Sequence, residues 1–170
     1  MNRVNLLEAL KVRQTEDLKD LLMPTVPKKD KPSELRTVEI FKGKLPDRKS
    51  ETEKAPYIVN AILNSNFYRN PGEEPESLVT VRSTVCIYNP NNEEGSLMVL
   101  NVLERLRISY MQNPIVDKTF QCIFDEEHPI QDLVYPDETM PFFMADQVTV
   151  WRLPPVEREV RPWLEKLTRP

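Results

Sequence analysis

From Tyr57 to Leu153 the apolar positions recur first every second residue, then at about 3.6, then every second residue again, so strands flank a helix. Tyr57, Val59, Ala61 and Leu63 fall on one side of an extended chain and Ile58 and Ile62 on the other, as in an internal strand that is apolar on both faces. In the strand expected from Leu78 to Tyr88, Val79, Val81, Val85 and Ile87 share one face, while Thr80, Arg82, Thr84 and Cys86 share the other. The apolar face requires a helical cover. That cover is expected from Ser96 to Gln112, where Val99, Leu103, Leu106 and Tyr110 form one stripe, broadened by Met98 and Val102. Gly95 and Ser96 precede this helix and Asn113-Pro114 ends it. Two more strands follow. Phe120 to Phe124 aligns Phe120, Cys122 and Phe124, and Met144 to Leu153 is closed by Pro154-Pro155, since proline donates nothing to a sheet ladder.

Around this block the pattern is looser. Leu6, Leu7, Leu10, Leu18, Leu21 and Leu22 predict a first helix from about Asn5 to Leu22, stopped by Met23-Pro24. Thr25 to Pro32 reads as a linker, Thr37 to Lys42 as a strand, and Gly43 to Pro56 as a charged loop. The acidic, proline-containing stretch Asp125 to Phe143 is too long for a tight hairpin and is expected to fold as a loop over one end of the sheet. In the tail Val156 to Pro170, Val160, Trp163, Leu164 and Leu167 are partly helical in spacing, with Pro162 suited to a first turn. The expected fold is α/β, of the α+β kind: a mixed, mostly antiparallel sheet of four to five strands packed against two main helices. Residues 1–32 form an N-terminal helix and linker, 33–158 the core, and 159–170 a C-terminal arm.

Charge narrows the choice of partners. Residues 57–170 carry 17 acidic and 10 basic side chains, a balance that repels a phosphate backbone, so sequence-specific nucleic-acid binding is not expected. No apolar run is longer than that from Leu97 to Leu100, and Met1 to Asn5 leads into a charged helix, so neither a membrane span nor a signal peptide is expected and synthesis is expected to be cytoplasmic. Cys86 and Cys122 lack metal-binding spacing and read as small buried hydrophobes.

Candidate chemistry is sparse. His128 is the single histidine, and with Asp125, Glu126 and Glu127 it offers a minimal set for a divalent cation or for acid–base work, without the second histidine of a common zinc site. Gly43, Gly72 and Gly95 are too far apart in sequence to build a local phosphate cradle. The chain is therefore expected not to be an enzyme, and no catalytic residue, metal or cofactor is assigned. A small metal-dependent nuclease or hydrolase working through Asp125, Glu126, Glu127 and His128 is the enzymatic alternative. The residues assigned to partner or oligomer contact are Asp125, Glu126 and Glu127 in the acidic loop and Arg161, Trp163, Leu164 and Leu167 in the arm, because Trp and Arg are enriched at interface hot spots.

Four stretches carry a family resemblance. Pro56-Tyr57-Ile58-Val59, Val79 to Tyr88 with its asparagine-rich turn, Val99 to Arg107, and Val148-Thr149-Val150-Trp151-Arg152-Leu153-Pro154 resemble tail-terminator proteins of long, non-contractile-tailed phages of Gram-positive hosts. The resemblance covers residues 36–158. It implies helices packed on a mixed sheet, and a hexameric ring in the virion that caps the finished tail tube, stops its polymerisation and offers a surface to the head connector. The implied partners are other copies of the chain, the major tail tube protein and a head-connector or neck protein, with DNA passing through the ring. The first helix and the tail after Arg158 lie outside the match, and another head-closure or head-to-tail joining subunit is the nearest alternative.

The central helix generates the first prediction: Leu103→Asp should prevent folding, as followed by far-UV circular dichroism, and a soluble mutant that melts cooperatively would remove Leu103 from the core.

Overall fold

The computed structural model describes residues 2–45, 54–135 and 140–155. The elements follow in the order α1 (Arg3–Asp17), β1 (Met23–Pro24), β2 (Leu35–Arg36), β3 (Glu39–Lys42), β4 (Tyr57–Tyr68), β5 (Glu76–Tyr88), α2 (Asn92–Gln112), β6 (Ile115–Val116), β7 (Phe120–Ile123), β8 (Gln131–Val134) and β9 (Phe142–Leu153). The main sheet runs β3-β4-β5-β9-β7-β6, with β8 also paired to β9. β3 and β4 run parallel, and the other pairs in this sheet are antiparallel. The mixed, mostly antiparallel sheet and its two helices agree with expectation; the strand number does not. Among the described residues this sheet has seven strands rather than four to five. β6 spans two residues and β8 is exposed along its whole length, so neither shows the apolar alternation that marks a strand in sequence.

α1 begins at a reciprocal cap. The Asn2 side chain accepts from the Val4 and Asn5 backbone N–H groups, and the Asn5 side chain accepts from the Asn2 N–H. The helix ends at Asp17, short of the expected Leu22, where Leu18 leaves helical geometry with its N–H still bonded to the Gln14 carbonyl. The chain then enters a two-stranded ribbon of β1 and β2, and Thr25 to Pro32 lies between those strands. Leu6, Leu10 and Leu18 join the same hydrophobic core as the sheet.

α2 starts earlier than expected. Asn91 caps it by accepting from the Glu94 N–H, and Glu93 and Glu94 in the first turn suit the positive end of the helix dipole. Gly95 therefore lies inside the helix. Its place reflects contact: a Cβ there would stand 2.1 Å from Cε2 of Phe143, a buried ring of β9. Farther along, Tyr110 meets Trp151 edge-on, with centroids 5.3 Å apart, so α2 and β9 run in the same direction. In β4 the register shifts between Ile62 and Asn64, so Leu63 does not continue the row of Tyr57, Val59 and Ala61 and is exposed.

The core beneath the helices contains a polar seam that the apolar pattern does not announce. Asn60 of β4, Ser83 of β5 and Gln147 of β9 stand in one cross-strand row on the helix-covered face, each buried. Gln14 of α1, fully buried, donates through Nε2 to Asn60 Oδ1 at 3.1 Å, Ser83 Oγ at 3.3 Å and the Tyr110 hydroxyl at 2.8 Å. Asn60 Nδ2 returns a bond to Gln14 Oε1 at 2.6 Å, and Ser83 Oγ donates to Asn60 Oδ1 at 2.6 Å. Gln147 Nε2 donates to the Leu103 carbonyl at 3.1 Å. The seam ties α1, β4, β5 and α2 together in a region of low dielectric, where a lost partner leaves an unpaired polar group at a cost of about 1–3 kcal/mol.

Gln14→Ala should thus lower the unfolding free energy by roughly 2–4 kcal/mol, combining lost packing with orphaned partners. Lys11→Ala, on the exposed side of the same helix, should stay within about 0.5 kcal/mol. Urea titration of both variants is the check, and equal midpoints would contradict the seam.

Candidate interaction surfaces

Among the described residues, the face of the sheet opposite the helices carries an apolar cluster at one end. There Tyr57, Val59, Cys86, Tyr88, Phe142 and Met144 form a second apolar cluster under Val26, Phe41 and Leu45. Phe41 meets Tyr57 edge-on with ring centroids 6.2 Å apart, and Tyr88 leans on Phe142 at 5.6 Å. A shallow groove beside this cluster is lined by Lys44, Tyr57, Arg82, Thr84 and Met144.

Beyond the cluster the same face carries two polar straps. In the first, buried Asp146 of β9 accepts from Thr84 Oγ1 and from the Tyr135 hydroxyl, each at 2.6 Å. The bond to Asp146 raises the Tyr135 phenol above its usual value, with desolvation adding to the effect. In the second, Glu76 accepts from the Tyr68 hydroxyl at 2.5 Å and from Arg152 Nε at 2.8 Å, and Arg152 Nη1 reaches Gln121 Oε1 at 3.3 Å. The Tyr68 hydrogen bond first, and then Arg152, hold the Glu76 carboxyl below the ordinary glutamate value. This strap crosses β4, β5, β9 and β7 at the turn end of the β4–β5 hairpin. Phe67 is exposed near the hairpin end, with the Arg3 guanidinium 5.8 Å from its ring centroid.

The acidic segment after β7 is a local turn, not a cluster aimed at one point. Asp125 Oδ1 accepts from the Glu127 N–H at 3.0 Å and the His128 N–H at 2.7 Å, and lies 3.0 Å from His128 Nδ1. Desolvation pulls its pKa upward, but the hydrogen bonds from His128 and Glu127 outweigh it and keep the carboxyl below its usual value. Glu126 and Glu127 are exposed. Among the described residues, no group of three or more His, Cys, Asp or Glu side chains is arranged to hold a metal ion. The rest of Asp125 to Phe143 is not simply a loop over the sheet end. Its β8 segment pairs with Ala145 to Val148 of β9, fastened by Gln147 Nε2 to Asp132 Oδ1 at 2.9 Å.

No protein-family model and no curated protein matches this chain. The surfaces must therefore be judged on their own chemistry. Arg161, Trp163, Leu164 and Leu167 lie outside the described residues. Cys86 and Cys122 are both buried, and burial pushes the Cys122 thiol up to about 12, which leaves it protonated at neutral pH. Among the described residues, no helix is long and apolar enough to cross a membrane.

Sequence reading passed over one surface. Leu97, Leu100, Ile108 and Met111 are exposed along the side of α2 that faces away from the sheet. They were legible as the second apolar stripe of a helix whose first stripe already accounts for its packing. A separate groove between α1 and β6 is lined by Glu8, Val12, Arg13, Ile115 and Asp117. Both surfaces are partly apolar and edged by charge.

The Glu76 strap has a definite pH signature. A carboxyl lowered in the folded state contributes stability that is present above its ordinary value, 4.5, and lost as pH falls through the lowered folded value. Glu76→Gln should accordingly be less stable than the parent at neutral pH, with the difference closing as pH drops below that range. Urea midpoints across pH test this, and a gap that ignores pH would contradict it.

Proposed function

We propose that this chain is a tail-terminator subunit, which adds as a ring to the growing end of a phage tail tube, ends its polymerisation and presents an outward surface to the head connector. The observation that supports this reading best is where the four resembling stretches lie in the fold. Pro56 to Val59 opens β4, Val79 to Tyr88 forms most of β5, Val148 to Pro154 runs through the end of β9, and Val99 to Arg107 is the middle of α2. β4, β5 and β9 are consecutive neighbours in the sheet, and α2 packs on β5 and β9. The resemblance is thus concentrated in one packed unit.

In this reading the action is physical and involves no turnover. A hexameric ring buries the open interface of the last tube layer and replaces it with a different surface, so further tube subunits find nothing to pair with. A ring of like subunits needs two unlike patches on each copy. The β4–β5 hairpin end, the Asp125–Glu127 turn and the outer side of α2 differ enough in chemistry to supply them. The partners are then other copies of the chain, the major tail tube protein and a neck protein, and the location is the virion.

Titrating the purified full chain into polymerising tail tube protein tests the role. Mean tube length, measured by negative-stain electron microscopy, should fall as more chain is added, with a ring visible at one tube end. Tubes of unchanged length and bare ends would overturn it.

A further inference from the structure

The outer side of α2 raises a specific question of what covers it. Leu97, Leu100, Ile108 and Met111 are 60%, 47%, 42% and 49% exposed, and they line up opposite the buried Val99, Leu103, Leu106 and Tyr110. Glu104, paired with Arg107, is the polar residue that interrupts the line. A single exposed leucine is ordinary, but a row of large apolar side chains along most of a helix is a contact surface.

The chain itself carries a matching occupant. It continues from Pro155 to residue 170, and Val160, Trp163, Leu164 and Leu167 recur at i, i+3, i+4 and i+7, the anchor spacing with which a helix lies in an apolar groove. The direction of exit then decides which copy is reached. β9 runs alongside α2 from the Gly95–Phe143 contact to the Tyr110–Trp151 contact, so β9 ends beside the C-terminal end of α2. Pro154-Pro155 favours extended backbone there. To cover its own stripe the arm would have to reverse around the helix end. Continuing outward, the six residues before Pro162 reach up to about 20 Å.

We infer that residues 156–170 of one subunit dock on the outer α2 stripe of the next. The inference rests on the ring reading above and names the two patches that meet. Arm and stripe are unlike, so the contact is head-to-tail, the class of contact that closes into rings.

Chemical linking in the full chain tests it. One preparation carries Ile108→Cys and a second Leu164→Cys, and the native thiols Cys86 and Cys122, 0% and 2% exposed, do not compete. Treated with a bis-maleimide, the mixture should give a several-fold excess of linked dimer over either preparation alone. Trp163→Ala in the second preparation should abolish the excess without shifting the thermal melt. A chain with both cysteines that yields internally linked monomer, while the mixture yields no excess, would put the arm on its own helix and overturn the inference, as would linking in neither case. The tube assay reads the role separately: capped tubes without linked dimer remove the contact and keep the role, and linked dimer with uncapped tubes does the reverse.

Discussion

On the helix-covered side of the sheet, one buried amide, Gln14, ties α1 to β4, β5 and α2. Its side chain bonds to Asn60, Ser83 and Tyr110, and Tyr110 stands against Trp151, so elements distant in sequence are referred to a single point. In an apolar core each of these groups is costly to bury alone, and here they satisfy one another. A one-residue slip of β4 would turn Asn60 to the opposite face and leave Gln14 without its main partner. The seam therefore specifies register where Val and Ile packing alone would tolerate more than one solution.

This constraint also tells where function is to be sought. With the helix-covered face committed to packing and the other face closed at one end by Tyr57, Cys86 and their neighbours, the surfaces left for recognition are peripheral. They are the hairpin end, the Asp125 turn, the groove between α1 and β6, and the outer side of α2. Such a distribution suits a subunit that acts by fitting between others, with a rigid interior and chemically distinct flanks.

Much of the interior was legible in the sequence. β5, α2, β7 and β9 follow from period and punctuation, because a buried face leaves a regular trace in the chain. Departures arise where a tertiary contact outweighs the local signal. Gly95 looked like the edge of a helix and is instead an interior residue made necessary by the Phe143 ring. Leu63 looked like one more inward position, and a register shift in β4 exposes it. β8 leaves no alternation to read because its side chains stay exposed. The seam was hinted at: Asn60 and Ser83 each interrupt an otherwise apolar face. Only their juxtaposition with Gln14, far away in sequence, turns those interruptions into partners. Of the residues assigned to contact, Asp125, Glu126 and Glu127 lie in one exposed turn, and the remainder belong to the arm.

The most direct test of a tail-end role is an electron cryo-microscopy map of the finished tube end with this chain bound. The account predicts a closed ring of six copies on the last tube layer, each with the outer side of α2 covered by a segment from its neighbour. A tube end that lacks the chain, or a chain bound as isolated copies along the tube wall, would contradict it.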